Sequence, residues 1–519
     1  MKNNYNIIEE LSNKNSIKII ICLIISGLII RFYFTPFNLP ISLDAIGYFA
    51  YTVAIQKEGY FPTGYLPLNF GWSTFLAPIF WIVDSNQMLE LMNVQRIMSS
   101  IISVATAIPI YYICKIFFKK NIAILGPVLF LFDPRIIENS IFGITDPLFI
   151  FFVTLTIMFI FIKKSKFFYL SFIFAALAGF TRYEGLLLII PILVSFFVRR
   201  NFEKLTIIKL IIGIILFISI IIFINVTAYE NSNLNITSPI FGGINFISNF
   251  VLLDNPNSQD QVFARDTENK TQLFTNNAIT TYLMYLAWIM IPILGLFVIP
   301  GFFLTKKKIT KNKIILFIFM GVISLAPLYA YARGIEDTRY LYPLFPILIL
   351  FSCQFFDYLS KKWNIKIIII AVILISIILS SVFLEYNKED YEYEKEMYNA
   401  ALFLSNEADG VNTYNENKYI VVAELQNIWP ELLPKGESGI MSGNTKKFAI
   451  DDFDNPTEYI EFNKNNGLTH LLIKEGGENG FFDDVFHNEN KYPSLEKIVD
   501  SRDLGIKTKY KIFKINNEE

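Results

Sequence analysis

A few charged side chains stand in an otherwise apolar chain at positions where they can do chemistry. Asp44 lies in Ser42-Leu43-Asp44-Ala45-Ile46-Gly47-Tyr48 and Asp146 in Gly143-Ile144-Thr145-Asp146-Pro147-Leu148-Phe149. Arg182 and Glu184 lie in Gly179-Phe180-Thr181-Arg182-Tyr183-Glu184-Gly185, and Arg339 and Tyr340 in Thr338-Arg339-Tyr340-Leu341-Tyr342-Pro343, with Arg333 shortly upstream. A carboxylate with a reference pKa of about 3.9 is ionised at neutral pH and can take a proton from an attacking hydroxyl. Guanidinium groups stay charged and bind phosphate bidentately. The two types together suit displacement of a phosphate by a hydroxyl. The only histidines, His470 and His487, lie near the C-terminus, so acid–base work near the apolar part falls to Asp, Glu, Lys or Tyr, and a His-ligated metal is excluded there.

The elements that must position these groups are membrane spans. The 519 residues are 53% hydrophobic with a mean hydropathy of +0.43. Apolar runs recur from residue 17 to 384, many of them long enough to cross about 30 Å of hydrocarbon. The first run, Ile17 to Tyr33, lacks a small-residue cleavage site and reads as a retained span. Short basic turns mark the cytoplasmic side: Lys115/Lys119/Lys120, Lys163/Lys164/Lys166, Arg199/Arg200/Lys204, Lys306 to Lys313, and Lys361/Lys362/Lys366. All five turns are cytoplasmic if eleven spans run over about 17–34, 97–118, 121–138, 145–162, 167–181, 184–198, 206–226, 279–304, 314–331, 340–359 and 367–384. The N-terminus is then inside and the C-terminus outside. This count requires Phe70 to Val83, short and interrupted by Pro78, to lie on the surface rather than cross. It also requires two short spans meeting at Thr181-Arg182-Tyr183-Glu184, because one 32-residue helix would be ~48 Å long.

On this topology Arg135, Arg182, Arg265, Arg333 and Arg339 gather at the outer side. The chain has ten arginines against 35 lysines, so their use there points to an anionic substrate. The net charge of −1 gives no sign of a nucleic-acid partner. Cys22, Cys114 and Cys353 all fall within apolar runs and imply neither a disulfide framework nor a thiolate metal site. Residues 35–96 form a first outer loop with surface helices near Asp44 to Gln56 and at 70–83. Residues 227–278 form a second outer loop, with sequons at Asn235 and Asn269. The composition changes after Leu384, giving a transmembrane domain over 1–384 and a soluble α/β domain over 385–519. In the latter a helix is expected near 391–407 and strands at Tyr419–Glu424, Thr469–Lys474 and Lys509–Lys514. The glycine-rich 476–480 segment is a turn cluster without phosphate-loop spacing.

The four motifs quoted above, in this order and each at an outer span end, resemble the GT-C superfamily of membrane glycosyltransferases. The branch with protein O-mannosyltransferases and the aminoarabinose transferases of lipid A is the most similar. The resemblance covers about 1–384, and the tail is similar to the α/β domain that many prokaryotic members append. It implies transfer of a sugar from a polyprenyl phosphate to a protein, glycan or lipid hydroxyl at the outer face of a prokaryotic plasma membrane. It also implies a first-loop acid at Asp44, a second acid at Asp146 and a Thr-Arg motif at Arg182. Two departures stand out: Asp44-Ala45 replaces a pair of acids, and Tyr65-Leu66-Pro67 stands where relatives place a His or Lys before proline.

In this scheme Asp44 is the general base, and Arg182 with Arg333 or Arg339 stabilises the leaving phosphate. Tyr48, Glu184 and Tyr340 are further substrate-binding candidates. One displacement inverts the anomeric centre, and no cofactor is required, although Asp44 and Asp146 offer oxygen ligands for a divalent cation. Each residue also has a plainer reading. Asp44 and Asp146-Pro147 also suit helix caps, Arg182 also suits a plain pairing with Glu184, and Arg339-Tyr340 also suits anchoring at the interface. The Trp-Trp-Asp-Tyr-Gly signature of oligosaccharyltransferases is absent. Two other classes remain open: a transporter or flippase, which would place charge near the bilayer midplane, and an inactive membrane scaffold.

Overall fold

The computed structural model describes residues 14–42, 44–59, 70–162, 167–199, 204–232, 278–306, 310–332, 334–388, 390–407, 413–415, 419, 422–423, 450, 453–477, 480–503, 505 and 507–516. Arg265, Arg333, both sequons and Tyr65-Leu66-Pro67 lie outside these residues. The described residues fall into two packing units. One comprises 1–35, 68–75 and 96–384, and the other 36–67, 76–95 and 385–519. A boundary thus falls after Leu384. Within the 1–384 segment, however, 36–67 and 76–95 group with the C-terminal residues, a pairing that linear composition does not carry.

The described residues of the first unit form helices and the short turns between them. Among the described residues, six helices are long and apolar enough to cross a membrane: Ile17–Phe34, Met88–Phe117, Ile207–Ile224, Lys311–Ala332, Thr338–Leu359 and the run beginning at Ile365. A seventh candidate is the pair Ile279–Met290 and Gly295–Thr305, bent by 114°. The expected straight span over 279–304 is therefore broken, at a point where Pro292 removes a backbone donor. Four shorter apolar helices, Lys120–Leu131, Asp146–Phe161, Phe168–Thr181 and Tyr183–Val198, occupy the remaining expected spans. The span expected over 121–138 ends at Leu131 because Asp133-Pro134 starts a new helix, Pro134–Ile141. The Asp133 carboxylate caps that helix, accepting from Arg135 N at 3.0 Å and Ile136 N at 3.4 Å.

Burial separates the helices by role. Within the Ile207–Ile224 window 22% of residues are buried, against 78% for Thr338–Leu359. A helix that is apolar all round yet largely exposed is suited to lipid, whereas the second is packed inside protein. Arg31 shows how a charge is accommodated in this interior. It is fully buried, and its guanidinium donates to Ser140 Oγ, to the Gly27 and Leu131 carbonyls, all at 3.0 Å, and to Ser103 Oγ at 3.1 Å. Every contact is with a neutral acceptor, so Arg31 joins three helical segments through hydrogen bonds rather than an ion pair.

In the second unit, the two expected surface helices occur as Asp44–Glu58 and the latter part of Gly71–Val83. The tail carries a four-stranded sheet: β1 (Thr413–Asn415), β2 (His470–Lys474), β3 (Leu495–Asp500) and β4 (Tyr510–Ile515), in the order β1-β2-β4-β3. β1 is parallel to β2, and the other pairings are antiparallel. Residue alternation sends Leu471, Ile473, Phe513 and Ile515 into a core with Tyr459 and Phe482. It sends Leu472, Tyr510 and Ile512 into a second core with Met397, Ala401 and Leu404. The helices Asp390–Glu407 and Pro456–Asn465 supply the covering residues, one for each sheet face. Among the described residues of the strand expected at Tyr419–Glu424, Val422 and Ala423 are helical, and β1 lies upstream. A short apolar run fits a buried helix as well as a strand, and packing against Leu472 and Tyr510 selects the helix. β3 went unforeseen because, as an edge strand, it carries exposed Glu496 and Lys497 in place of an apolar face.

An ion cluster ties β3 to β4, with Lys511 Nζ lying 3.8 Å from Asp500 Oδ2. Arg502 grips the buried Asp500 through Nε at 2.9 Å and Nη2 at 2.7 Å, while buried Lys511 reaches Glu489 at 3.0 Å. The Arg502 hydrogen bonds hold the Asp500 carboxyl well below the usual carboxylate range. A depressed folded-state pKa contributes stability above the unfolded value of about 3.9, and that contribution is lost as pH falls below it. Asp500→Asn is therefore expected to lower the melting temperature of the tail at pH 7, with the gap from wild type narrowing below about pH 3.9. A pH series of thermal melts on the full chain checks this.

Candidate functional site

The Thr181-Arg182 motif becomes a deliberate break in the helical run. Phe168–Thr181 ends at Arg182, whose backbone is extended (φ −147°, ψ 128°), and a 3-10 turn over Tyr183–Leu188 leads into Ile189–Arg199. Two glycines make the fold-back possible. A Cβ on Gly185 would stand 2.4 Å from the Ala178 carbonyl carbon, and one on Gly179 would stand 2.3 Å from a Leu186 methyl. Gly185→Ala is therefore expected to cost about 3 kcal/mol or more through overpacking against backbone. Gly321→Ala, in open space within a helix, should be neutral or mildly stabilising. Melting temperatures of the two variants in detergent test the contrast.

The break brings Arg182 to the start of the Asp146–Phe161 helix. Its Nη1 pairs with Asp146 Oδ1, and its Nε donates to Glu184 Oε1 at 2.5 Å. The three side chains are 11%, 4% and 10% exposed, respectively, so both ion pairs are largely shielded from water. Asn139 Nδ2 donates to the other Asp146 oxygen at 3.4 Å. The guanidinium carbon lies 5.0 Å from the Tyr340 ring centre and 5.7 Å from that of Phe149, within cation–π range. Supporting bonds hold the segment ends together: Thr145 Oγ1 donates to the Thr181 carbonyl at 3.4 Å, and buried Trp72 donates to the Gly143 carbonyl at 2.9 Å. A cleft here is lined by Phe149, Arg182, Glu184, Tyr340 and the aliphatic wall of Leu188 and Ile323.

Four of the candidates thus converge: Asp146, Arg182, Glu184 and Tyr340. Arg339, next to Tyr340, is committed to Asp337, donating from Nε at 2.7 Å and from its backbone N–H at 2.8 Å, with about a third of the side chain exposed. Arg333 lies outside the described residues. Asp44 and Tyr48 belong to the second unit, where Asp44 is exposed in the first turn of Asp44–Glu58 and Tyr48, one turn later, is half-buried. The local pairing of Arg182 with Glu184 was readable from sequence, but the long-range pairing with Asp146 was not. Both Asp146 oxygens accept from nitrogen donors, which suits a guanidinium partner better than a cation ligand. Asn139 and Phe149 were missed altogether: neither is distinctive in sequence, and only the turn at Gly143 (φ +75°) brings Asn139 back onto Asp146.

The helical fold is of the polytopic GT-C type, as its likeness to solved structures shows. The structure is similar to ArnT from Cupriavidus metallidurans in the apo state, with a TM-score of 0.56 at 9% identity over 95% of this chain and 97% of that one. Against the same protein bound to undecaprenyl phosphate the TM-score is 0.55 at 10% identity, with the same coverage. The Archaeoglobus fulgidus oligosaccharyltransferase in the apo form gives 0.53 at 10% identity, over 91% of this chain and 71% of that one. Within this fold, residues 79–229 match the family described as dolichyl-phosphate-mannose-protein mannosyltransferase. No curated protein matches the chain by sequence.

Proposed function

We propose that this protein is a glycosyltransferase that moves a sugar from a polyprenyl-phosphate carrier to a hydroxyl acceptor on a protein, glycan or lipid. The main support is the fold, common along nearly the whole of both chains with a protein whose structure holds undecaprenyl phosphate. The match of residues 79–229 to a family using a dolichyl-phosphate sugar points to the same donor class.

Chemically, the acceptor oxygen bonds to the anomeric carbon as the bond from that carbon to the phosphate oxygen breaks. Asp44, exposed at a helix start, takes the acceptor proton. Phosphate leaves as an anion and needs no acid, and Arg333 and the partly exposed Arg339 are the cations best placed in the sequence to meet it. One displacement inverts the anomeric configuration. The scheme needs no cofactor. The positive-inside pattern orients the chain with its N-terminus in the cytoplasm and the C-terminal domain outside, in a prokaryotic plasma membrane.

Purified protein in lipid should consume one member of a panel of radiolabelled polyprenyl-phospho-sugars and release product of opposite anomeric configuration. If no donor is turned over, the reading fails in favour of the scaffold.

A further inference from the structure

Arg182 is one of three arginines that the sequence offers as phosphate contacts, yet Asp146 and Glu184 surround it with negative charge. Asp146 and Glu184 both pair with the one guanidinium, leaving the trio at net −1 before any ligand arrives. Tyr340 and Phe149 further occupy the guanidinium with their rings. An incoming phosphate would meet the spare carboxylate charge as well as the cation, and repulsion in so shielded a place is strong. The trio therefore offers an anion little.

It does offer an acceptor. Glu184 is nine-tenths buried, and its Oε1 is used by Arg182, but among the described residues its Oε2 has no hydrogen-bond partner. Leaving such an atom unmatched is costly in a folded protein, so an unmatched one on a residue that borders a cleft calls for a donor. Around it the cleft is aromatic on one side, with Tyr340 and Phe149, and aliphatic on the other, with Leu188 and Ile323. The space there is about that of one water molecule, so a single O–H or N–H group at the edge of an apolar-faced ring fits it. A phosphate does not.

We infer that Glu184 is a specificity-determining residue whose free carboxylate oxygen accepts a hydrogen bond from a hydroxyl or amino substituent of the transferred sugar, with Arg182 serving to hold Glu184 in place. This rests on the glycosyltransferase reading above. It reassigns Arg182 from phosphate contact to positioning residue.

The test compares two lipids on the full-length protein in nanodiscs: undecaprenyl phosphate alone, and undecaprenyl phosphate bearing a sugar, with mannose and an aminopentose as the two forms. Glu184→Gln keeps the shape and the bond to Arg182 but can present an N–H donor where the acceptor was. It should weaken binding of a sugar-bearing lipid about tenfold or more, the scale of a lost charged hydrogen bond. Binding of the bare carrier phosphate should be unchanged or tighter, because a negative charge has gone. Equal weakening of both lipids, or no change in either, overturns the inference and leaves the proposed function standing. If wild type binds none of these lipids, the proposed function falls and the inference falls with it. Should Glu184→Gln not fold, Glu184→Asp draws the carboxylate back by one methylene and is expected to show the same lipid-selective loss.

Discussion

Replacing Asp44 by Asn is expected to lower turnover of the polyprenyl-phospho-sugar by about two to four powers of ten while leaving the protein folded. The size follows from removing a general base, typically a 10²–10⁴-fold effect, or about 3–5 kcal/mol of activation free energy. The structural cost should be much smaller. Asp44 is exposed in the first helical turn, where a capping carboxylate contributes about 0.5–2 kcal/mol. The two readings of this residue, cap and base, thus differ severalfold in expected energy and act on different observables. Turnover and melting temperature measured on the same preparation separate them. A variant that retains full turnover removes Asp44 from the chemistry, whereas parallel loss of turnover and melting temperature would make it a structural residue.

The largest effect on stability is expected at Arg182. Arg182→Ala leaves Asp146 and Glu184, 4% and 10% exposed, without their shared counter-charge. Breaking a buried pair in this way costs about 3–5 kcal/mol, a large share of the 5–15 kcal/mol that typically holds a domain folded. The expected outcome is a steep fall in melting temperature and in recovery from detergent. The triple variant Asp146→Asn, Arg182→Met, Glu184→Gln should regain most of that stability, since neutral groups of similar size need no counter-ion. It should not regain turnover. If Arg182→Ala melts like wild type, the ion trio is not what joins the Phe168–Thr181 turn to the Asp146–Phe161 helix.

The two predictions draw on different sources. Asp44 was found from its motif and its place after the first apolar run, and its exposure adds only that the side chain is reachable. The Arg182 trio comes from folding. Its local half, Arg182 with Glu184, is two residues apart and legible in the chain. Its other half joins residues 36 positions apart through a backbone break that two glycines allow.

The sequence by itself determined the polytopic helical class, because crossing hydrocarbon forces long apolar runs with internally satisfied backbones. The interruption at Thr181-Arg182, a short helix at Gly71–Val83 and two of the inner strands are legible as well, where composition leaves few alternatives. Folding alone settles which carboxylates claim Arg182, that the 279–304 run is sharply bent, that 36–67 and 76–95 group with the C-terminal residues, and that Val422 and Ala423 are helical. The physical reason is the range of the forces involved. Hydrophobic periodicity and turn chemistry act within a few residues and can be read along the chain. Ion pairing, unit packing and the choice between helix and strand for a short apolar run depend on partners that only the folded chain brings within reach.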